Sequence, residues 1–385
     1  MRPFNALVRS ALRVVAVTVT LAGTVVALPS SPVQAAMTGF RAVQSANGWV
    51  DFDGDGRADT CQIVGGTMLS CVRSTGTGFT GAVTMVVDPG YGAGRAWADF
   101  NGDARADYCR VVGSGYKNLR CTVSMGTRYG GDFTSGAVDP GYDAGRAWAD
   151  FNGDGRSDFC RIVGGWDKRA QCTLSTGTGY GSTITSAALD PGWDAGRSWV
   201  DVNGDNRADY CRVVGSTSLQ CTLSNGNSFG QTFTSAALDA GYDDSRRWAD
   251  VNGDSRADYC RIVGSAVYAS TTVRCTLSAG TAFGASFTSP TMDAGYPETQ
   301  GWGDVNGDGR DDYCRVIGGT FAQCTLSNGT SFGSTFATAA TSAGFHGWVD
   351  ADGDGRADHC RREAYSAECD LSTGASFGSK IASSW

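Results

Sequence analysis

The chain has 385 residues, of which 41% are hydrophobic and 18% charged, with a formal net charge of −8, 55 glycines and 14 cysteines. It carries three lysines and no basic patch interleaved with aromatics, so nucleic acid is set aside as a partner. The length would suit two or three domains, but self-similarity over nearly the whole chain argues for one closed repeat domain.

The chain opens with Arg2, Arg9 and Arg13 ahead of an apolar run from Val14 to Leu28 and a short segment ending at Ala35-Ala36. That is the layout of a secretory signal peptide cleaved near Ala35 or Ala36. The run is shorter than the roughly 20 residues of a comfortable membrane span. Residues 1–36 are therefore expected to be a leader and residues 37–385 a secreted domain with no membrane span.

Beyond the leader, one sentence recurs seven times: a tryptophan, an acidic loop, a cysteine. The copies begin at Trp49, Trp97, Trp148, Trp199, Trp248, Trp302 and Trp348, and their loops start at Asp51, Asp99, Asp150, Asp201, Asp250, Asp304 and Asp350. A period of 46 to 54 residues is the length of one four-stranded propeller blade. The expected fold class is all-β, a seven-bladed β-propeller of four-stranded blades with one calcium loop and one disulfide per blade. In the third repeat, alternation and turn residues place strands at Arg146 to Phe151, Asp158 to Val163, Gln171 to Ser175 and Thr183 to Leu189. The tryptophans fall on the innermost strands and are read as packing between blades. Arg110, Arg161, Arg212, Arg261, Arg315 and Arg361 each follow a cysteine and are expected to pair with acids of neighbouring strands. Closure stays open at this stage: Phe40 to Ser45 and Ser376 to Trp385 could each supply the last outer strand.

All 14 cysteines lie in the repeats, two in each: Cys61/Cys71, Cys109/Cys121, Cys160/Cys172, Cys211/Cys221, Cys260/Cys275, Cys314/Cys324 and Cys360/Cys369. An even count in an exported chain favours disulfides, and one pair per repeat favours local links joining strands two and three. Zinc would need four nitrogen or sulfur ligands per site, and the chain has only His346 and His359.

Each loop matches D-x-[DN]-x-D-x-x-x-D. Side chains at positions 1, 3 and 5 alternate, so short oxygen ligands converge on one point if the loop curls, joined by the position-9 aspartate. The expected ligand sets are Asp51, Asp53, Asp55 and Asp59; Asp99, Asn101, Asp103 and Asp107; Asp150, Asn152, Asp154 and Asp158; Asp201, Asn203, Asp205 and Asp209. The remaining three are Asp250, Asn252, Asp254 and Asp258; Asp304, Asn306, Asp308 and Asp312; and Asp350, Asp352, Asp354 and Asp358. Hard oxygens without sulfur or imidazole select calcium, up to seven ions. Position 4 is glycine in every loop, where the chain must turn sharply. An EF-hand is rejected, because position 12 is arginine in most repeats, as at Arg110 and Arg161, and the flanks alternate like strands.

These loops, with the aromatic turns at Phe79, Tyr129-Gly130, Tyr180-Gly181, Phe229-Gly230, Phe283-Gly284, Phe332-Gly333 and Phe377-Gly378, resemble the FG-GAP repeat of integrin α-subunit propellers and the related VCBS repeats of bacteria. The resemblance covers about residues 40 to 385. It implies calcium loops on one face, with the strand-four to strand-one connections on the opposite, ligand-binding face. Those connections carry a second motif, Asp-Pro-Gly-aromatic followed by an acid and an arginine. It supplies Tyr91 and Arg95; Tyr142, Asp143 and Arg146; Trp193, Asp194 and Arg197; Tyr242, Asp243 and Arg246. An aromatic plane, a carboxylate and a guanidinium are what stack on and hydrogen-bond a sugar, and integrin-like fungal propeller lectins bind glycans between blades. The same residues also make good turns and wedges. The motif decays at Asp293 to Gln300 and nearly vanishes at Gly344-Phe345-His346.

No serine has a paired histidine and the acids are committed to metal, so an enzyme is not expected. Two functions stand: a carbohydrate-binding, lectin-like module, or a protein-binding subunit of a secreted assembly such as an antibacterial toxin particle. The partner is accordingly a glycan or another protein, and the chain a monomer or one subunit of a hetero-assembly.

Overall fold

The computed structural model describes residues 43–45, 47–264, 271–340, 344–363 and 365–384. The leader expected at 1–36 lies outside the described residues. Seven four-stranded antiparallel sheets follow one another along the chain, each with its strands in sequence order. The second blade shows the plan: Ala96–Ala98, Asp107–Val112, Lys117–Ser124 and Tyr129–Val138. The innermost strands are three residues long in six blades and five in the last, and the second strands are buried almost throughout. The pattern follows from position, because a strand between two neighbours of its own sheet and two flanking blades has no face left for water. No helix among the described residues is long and apolar enough to cross a membrane.

Seven disulfides join second and third strands, one in each blade. The two cysteines of each pair face each other directly in register, as Cys109 and Cys121 do, with Cα atoms 4.0 Å apart. All fourteen are fully buried.

The tryptophans pack as expected. Trp97 belongs to a core shared with Val50, Phe52 and Cys61 of the preceding blade, and Trp148 to one with Ala98 and Phe100. The aromatic after each third strand fills the same seam: Tyr180 stands 5.1 Å from Phe100, and Phe229 4.8 Å from Phe151. Truncating one such buried ring costs about 3–5 kcal/mol.

Two expectations are corrected and one open alternative is decided. In blade three the fourth strand is Tyr180–Thr185, not Thr183 to Leu189. Tyr180 pairs with Ser175 across a bulge, because its ring is drawn into the seam. Closure, open between two segments in the sequence, is made by the carboxy-terminal one. Phe377–Ser384 is the outer strand of blade seven, whereas Val43 bridges Trp97 on the innermost strand of blade two, with both N–H···O distances 3.1 Å.

The arginines after the first cysteines mostly do not meet acids. Arg161 donates to the Asp139 carbonyl (2.9 Å) and Thr173 Oγ1 (2.8 Å), and Arg212 to the Asp190 carbonyl (2.8 Å) and Thr222 Oγ1 (2.9 Å). Burial pulls both guanidinium groups down to about 10. They anchor the inter-blade turn from beneath, and carbonyl oxygens suffice because several share each charge. Arg361, with Glu368 at 2.5 Å, is an exception.

Blade seven is chemically irregular. His359 stands where other blades place Tyr108 or Tyr210 beside the tryptophan, with its ring 4.8 Å from Trp348. His346 Nδ1 lies 3.0 Å from His359 Nε2, and His359 Nδ1 lies 3.2 Å from Asp370 Oδ2. Burial, helped by the charges of His359 and Arg361, pushes the His346 imidazole down to about 4 from an ordinary 6.5. The folded protein thus binds this proton less well than the unfolded chain. The contribution of this histidine to stability is complete above about pH 6.5 and is lost progressively as pH falls towards 4. Melting temperature between neutral pH and pH 4 should fall less steeply in His346→Gln, which copies the residue that blade six carries there, Gln300. Parallel profiles would show that this imidazole contributes nothing.

Candidate functional site

Two faces follow from the antiparallel order. The acidic loops and the turns between strands three and four share one face: a Cβ on Gly126 would stand 3.3 Å from Asp53 Cβ. The hairpins between strands two and three share the other with the inter-blade turns, where Tyr91 donates to the Gly113 carbonyl at 2.6 Å.

Each acidic loop is wound around two carboxylates. In the first, Asp51 Oδ1 accepts from the Gly54 N–H (2.6 Å) and Oδ2 from Gly56 (2.9 Å). Asp59 accepts from Phe52 (2.9 Å) through Oδ2 and from Ser74 (2.7 Å) through Oδ1, tying the loop to the third strand. The winding needs positive φ twice, at position 4 (Gly54, +77°) and at position 6 (Gly56, +85°). At position 6 the second, fourth and fifth loops place Ala104, Asn206 and Ser255 in the same left-handed region, which side chains adopt at a cost.

The structure brings together positions 1, 3 and 9. Asp51, Asp53 and Asp59 offer oxygens within 4.8 Å of one another, as do Asp350, Asp352 and Asp358. Position 5 lies beside position 3 and is held by an arginine. Asp55, Asp103, Asp154, Asp205, Asp254, Asp308 and Asp354 each form an ion pair with the arginine two residues on. Where position 3 is asparagine, its amide donates to that same carboxylate, at 2.8 to 3.0 Å for Asn101, Asn152, Asn203, Asn252 and Asn306. Their Oδ1 atoms are thereby fixed towards the loop's own backbone.

Electrostatically the loops are under tension. The position-9 aspartates Asp59, Asp107, Asp158, Asp209, Asp258, Asp312 and Asp358 are completely buried. Burial pushes the last three up to about 8 despite their backbone donors, and Asp51 up to about 6. Asp53 Oδ1 is buried with no hydrogen-bond partner among the described residues. Adjacent buried carboxylates and an orphaned oxygen are what a hard cation relieves, so the residues fit calcium.

The loops also lock the ring, by residues outside the ligand pattern. The position-8 N–H of each blade donates to the position-1 carbonyl of the blade before, as from Ala106 to Asp51 and, across the closure, from Ala58 to Asp350, both 2.7 Å. Ser124 donates to the Phe52 carbonyl (2.5 Å), and Ser74 closes the ring on Ala351 (2.6 Å). A Cβ on Gly54 would stand 3.0 Å from Arg105 Cγ of the next loop. The signal was present: a serine three residues after every second cysteine, and an arginine at position 7 of every loop.

On the opposite face, Arg146 donates to the Pro140, Gly141 and Ala93 carbonyls at 2.7 to 3.0 Å, and Arg197 to Pro191, Gly192 and Ala144 at 2.7 to 3.0 Å. Arg246 repeats the clamp on Ala240, Gly241 and Ala195, and Arg95 donates to Gly90 at 2.7 Å. Gln300 keeps part of it, donating to Ala294 at 3.1 Å, so the motif's decay follows a change of clamp. These guanidinium groups face their own turns. The rings do not: Tyr91, Tyr142, Trp193 and Tyr242 are 37 to 55% exposed. Asp143, Asp194 and Asp243 pair with Arg146, Arg197 and Arg246 at 2.7 Å while staying at least 75% exposed. The glycines before the aromatics are obligatory, since a Cβ on Gly192 (φ +69°) would fall 2.6 Å from the Val213 carbonyl oxygen.

No family model matches the chain. A likeness in fold is found in a lectin from Agrocybe aegerita, solved for its specific recognition of non-reducing terminal N-acetylglucosamine. It is 19% identical with a TM-score of 0.60, over 88% of this chain and 90% of that one. The Tc holotoxin pore of Photorhabdus luminescens contains a further likeness, 17% identical with a TM-score of 0.50, over 76% of this chain and 14% of the other. At these identities the likeness concerns the fold. A curated relative, the NAD(+)–arginine ADP-ribosyltransferase Chelt of Vibrio cholerae, is 35% identical over 79 residues. That stretch is 20% of this chain and spans only 13% of the relative's length.

Proposed function

We propose that this chain is a secreted, calcium-loaded propeller of FG-GAP or VCBS type that binds carbohydrate through its inter-blade turns and has no catalytic role. The observation that carries the binding reading is the repeated exposure of an aromatic ring beside a carboxylate on the face away from the acidic loops. Each turn is held rigid from below by a buried arginine and by its own clamp, so little order has to be imposed on binding. Calcium is supported by the fully buried position-9 carboxylates, such as Asp59, which accepts from the Phe52 and Ser74 backbone N–H groups. Secretion is supported by seven disulfides, which persist in oxidising compartments.

The test is a glycan array followed by Trp193→Ala and Tyr142→Ala. Several similar turns make binding multivalent, so either substitution should lower avidity partly and the pair more strongly, with melting unchanged. If the pair leaves glycan binding untouched and unfolds the protein, the rings are wedges and the reading fails. A second reading, a protein-binding subunit of a secreted toxin assembly, is favoured by the Tc holotoxin likeness and the short match to the ADP-ribosyltransferase. It predicts a blank array and co-elution with a partner polypeptide from culture supernatant.

A further inference from the structure

The inter-blade turns are not equivalent, and their difference is chemical. Over Tyr91 the structure places the ammonium of Lys117, 4.1 Å from the ring centroid, donating to the Gly113 carbonyl at 2.8 Å and to the Tyr91 hydroxyl at 2.5 Å. Over Tyr142 it places Lys168, 3.6 Å from the centroid, donating to the Gly164 carbonyl at 3.2 Å and to the Tyr142 hydroxyl. Two blades thus show the same arrangement, an ammonium between an aromatic face and the first carbonyl of the hairpin joining strands two and three.

The third turn has the larger ring and lacks the lysine. Trp193 donates its backbone N–H to Val213, as Tyr91 does to Val111, so it occupies the same place. The hairpin beside it runs from Val214 to Ser218 and contains only Gly215, Ser216 and Thr217. It is shorter than the connection that ends just before Lys117 and the one that carries Lys168, and supplies no cation. Gly215 corresponds to Gly113 and Gly164, and its carbonyl receives a long 3.5 Å contact from Thr217 Oγ1. Trp193 is 55% exposed and lines a shallow cleft of about 600 Å³ with Gly215, Asp190, Asp194 and Asp243. Three carboxylates and one indole face line that space; Asp194 and Asp243 also pair with Arg197 and Arg246 at 2.7 Å, and no lysine stands over the indole among the described residues.

We propose that the Trp193 cleft binds a sugar bearing a free amine, a 2-amino-2-deoxy hexose unit such as those of deacetylated chitin oligomers. Its ammonium takes the place that Lys117 and Lys168 fill in the sister blades, over the indole and against the Gly215 carbonyl. Its hydroxyls face the Asp190, Asp194 and Asp243 carboxylates. An acetylated amine has no charge to offer the ring or the acids, and so is selected against. The proposal rests on the carbohydrate-binding reading and names the ligand class for one of its sites.

Binding is measured by calorimetry on the full secreted chain with calcium present, at a pH where the amine is protonated. The probes are a glucosamine oligomer, the N-acetylglucosamine oligomer of the same length, and a lysine amide. The free-amine oligomer should bind about five-fold or more tightly than the acetylated one, and added salt should weaken it. Trp193→Ala should remove that preference. So should replacing Ser216–Ser218 with the sequence of Ser114–Asn118, which supplies an internal lysine and leaves Trp193 in place. Equal or tighter binding of the acetylated oligomer overturns the ammonium assignment and leaves the carbohydrate reading standing. Lysine amide binding as tightly as the oligomer overturns the sugar assignment in favour of a lysine-bearing protein. Failure of both oligomers overturns the inference, and the reading beneath it falls only if the glycan array is blank as well.

Discussion

Excess chelator should lower the melting temperature of the whole ring by on the order of 10 °C, with full recovery when calcium is restored. With a dissociation constant of about 10⁻⁴ M and about 1 mM free calcium, each independent site contributes roughly 1.4 kcal/mol, or about 10 kcal/mol over seven. A domain of this size has an unfolding entropy at which 1 kcal/mol moves the midpoint by roughly 1.5 °C. The buried carboxylates make the effect specific. Asp358, fully buried and pushed up to about 8, faces Asp350 and Asp352 in one cluster, so without a cation its charge is opposed only by backbone dipoles. Because each loop's position-8 N–H is bonded to the loop before it, the loss should not stay local. Differential scanning calorimetry with and without EGTA reads the shift, and superimposable curves would remove calcium from the account.

Reduction should have a larger effect and a slower onset. The loops closed by the disulfides span 9 to 15 residues. Each is worth about 3 kcal/mol in the chain-entropy model, so the seven together approach 20 kcal/mol. That exceeds the 5–15 kcal/mol by which whole domains are usually stable. The reduced chain should therefore fail to refold at 37 °C. Reductant alone should nevertheless leave the native protein intact, since every cysteine is fully buried. Thiol alkylation followed over time, with reductant alone and with reductant plus denaturant, separates the two regimes. Rapid modification under native conditions, or a reduced chain that regains the native circular dichroism, would contradict this.

The blade count, the disulfide pairing and the seam role of the tryptophans were legible because each is written locally and repeated. Cys109 and Cys121 face each other in register because the hairpin between them is short, and a short hairpin leaves few alternative registers. The winding of the acidic loops was half legible. Glycine at position 4 announced a turn, whereas Ala104 and Ser255 hid an equal demand at position 6, because neighbouring contacts there hold a left-handed residue against its preference.

Sequence by itself determined the period, and with it the fold, since every repeat carries its own strands, turn glycines and disulfide and needs only a neighbour to bury its seam. Tertiary structure alone decided which polar groups face the protein and which face outwards. The motif presents Arg197 and Trp193 as equals, but Arg197 is drawn inward to a carbonyl of the preceding connection, Ala144, while Trp193 stays exposed. It likewise decided that Lys117 and Lys168 cover their rings and that Trp193 stays open. Those outcomes depend on the length of a hairpin more than twenty residues away in sequence, and on which carbonyls the ring closure leaves within reach.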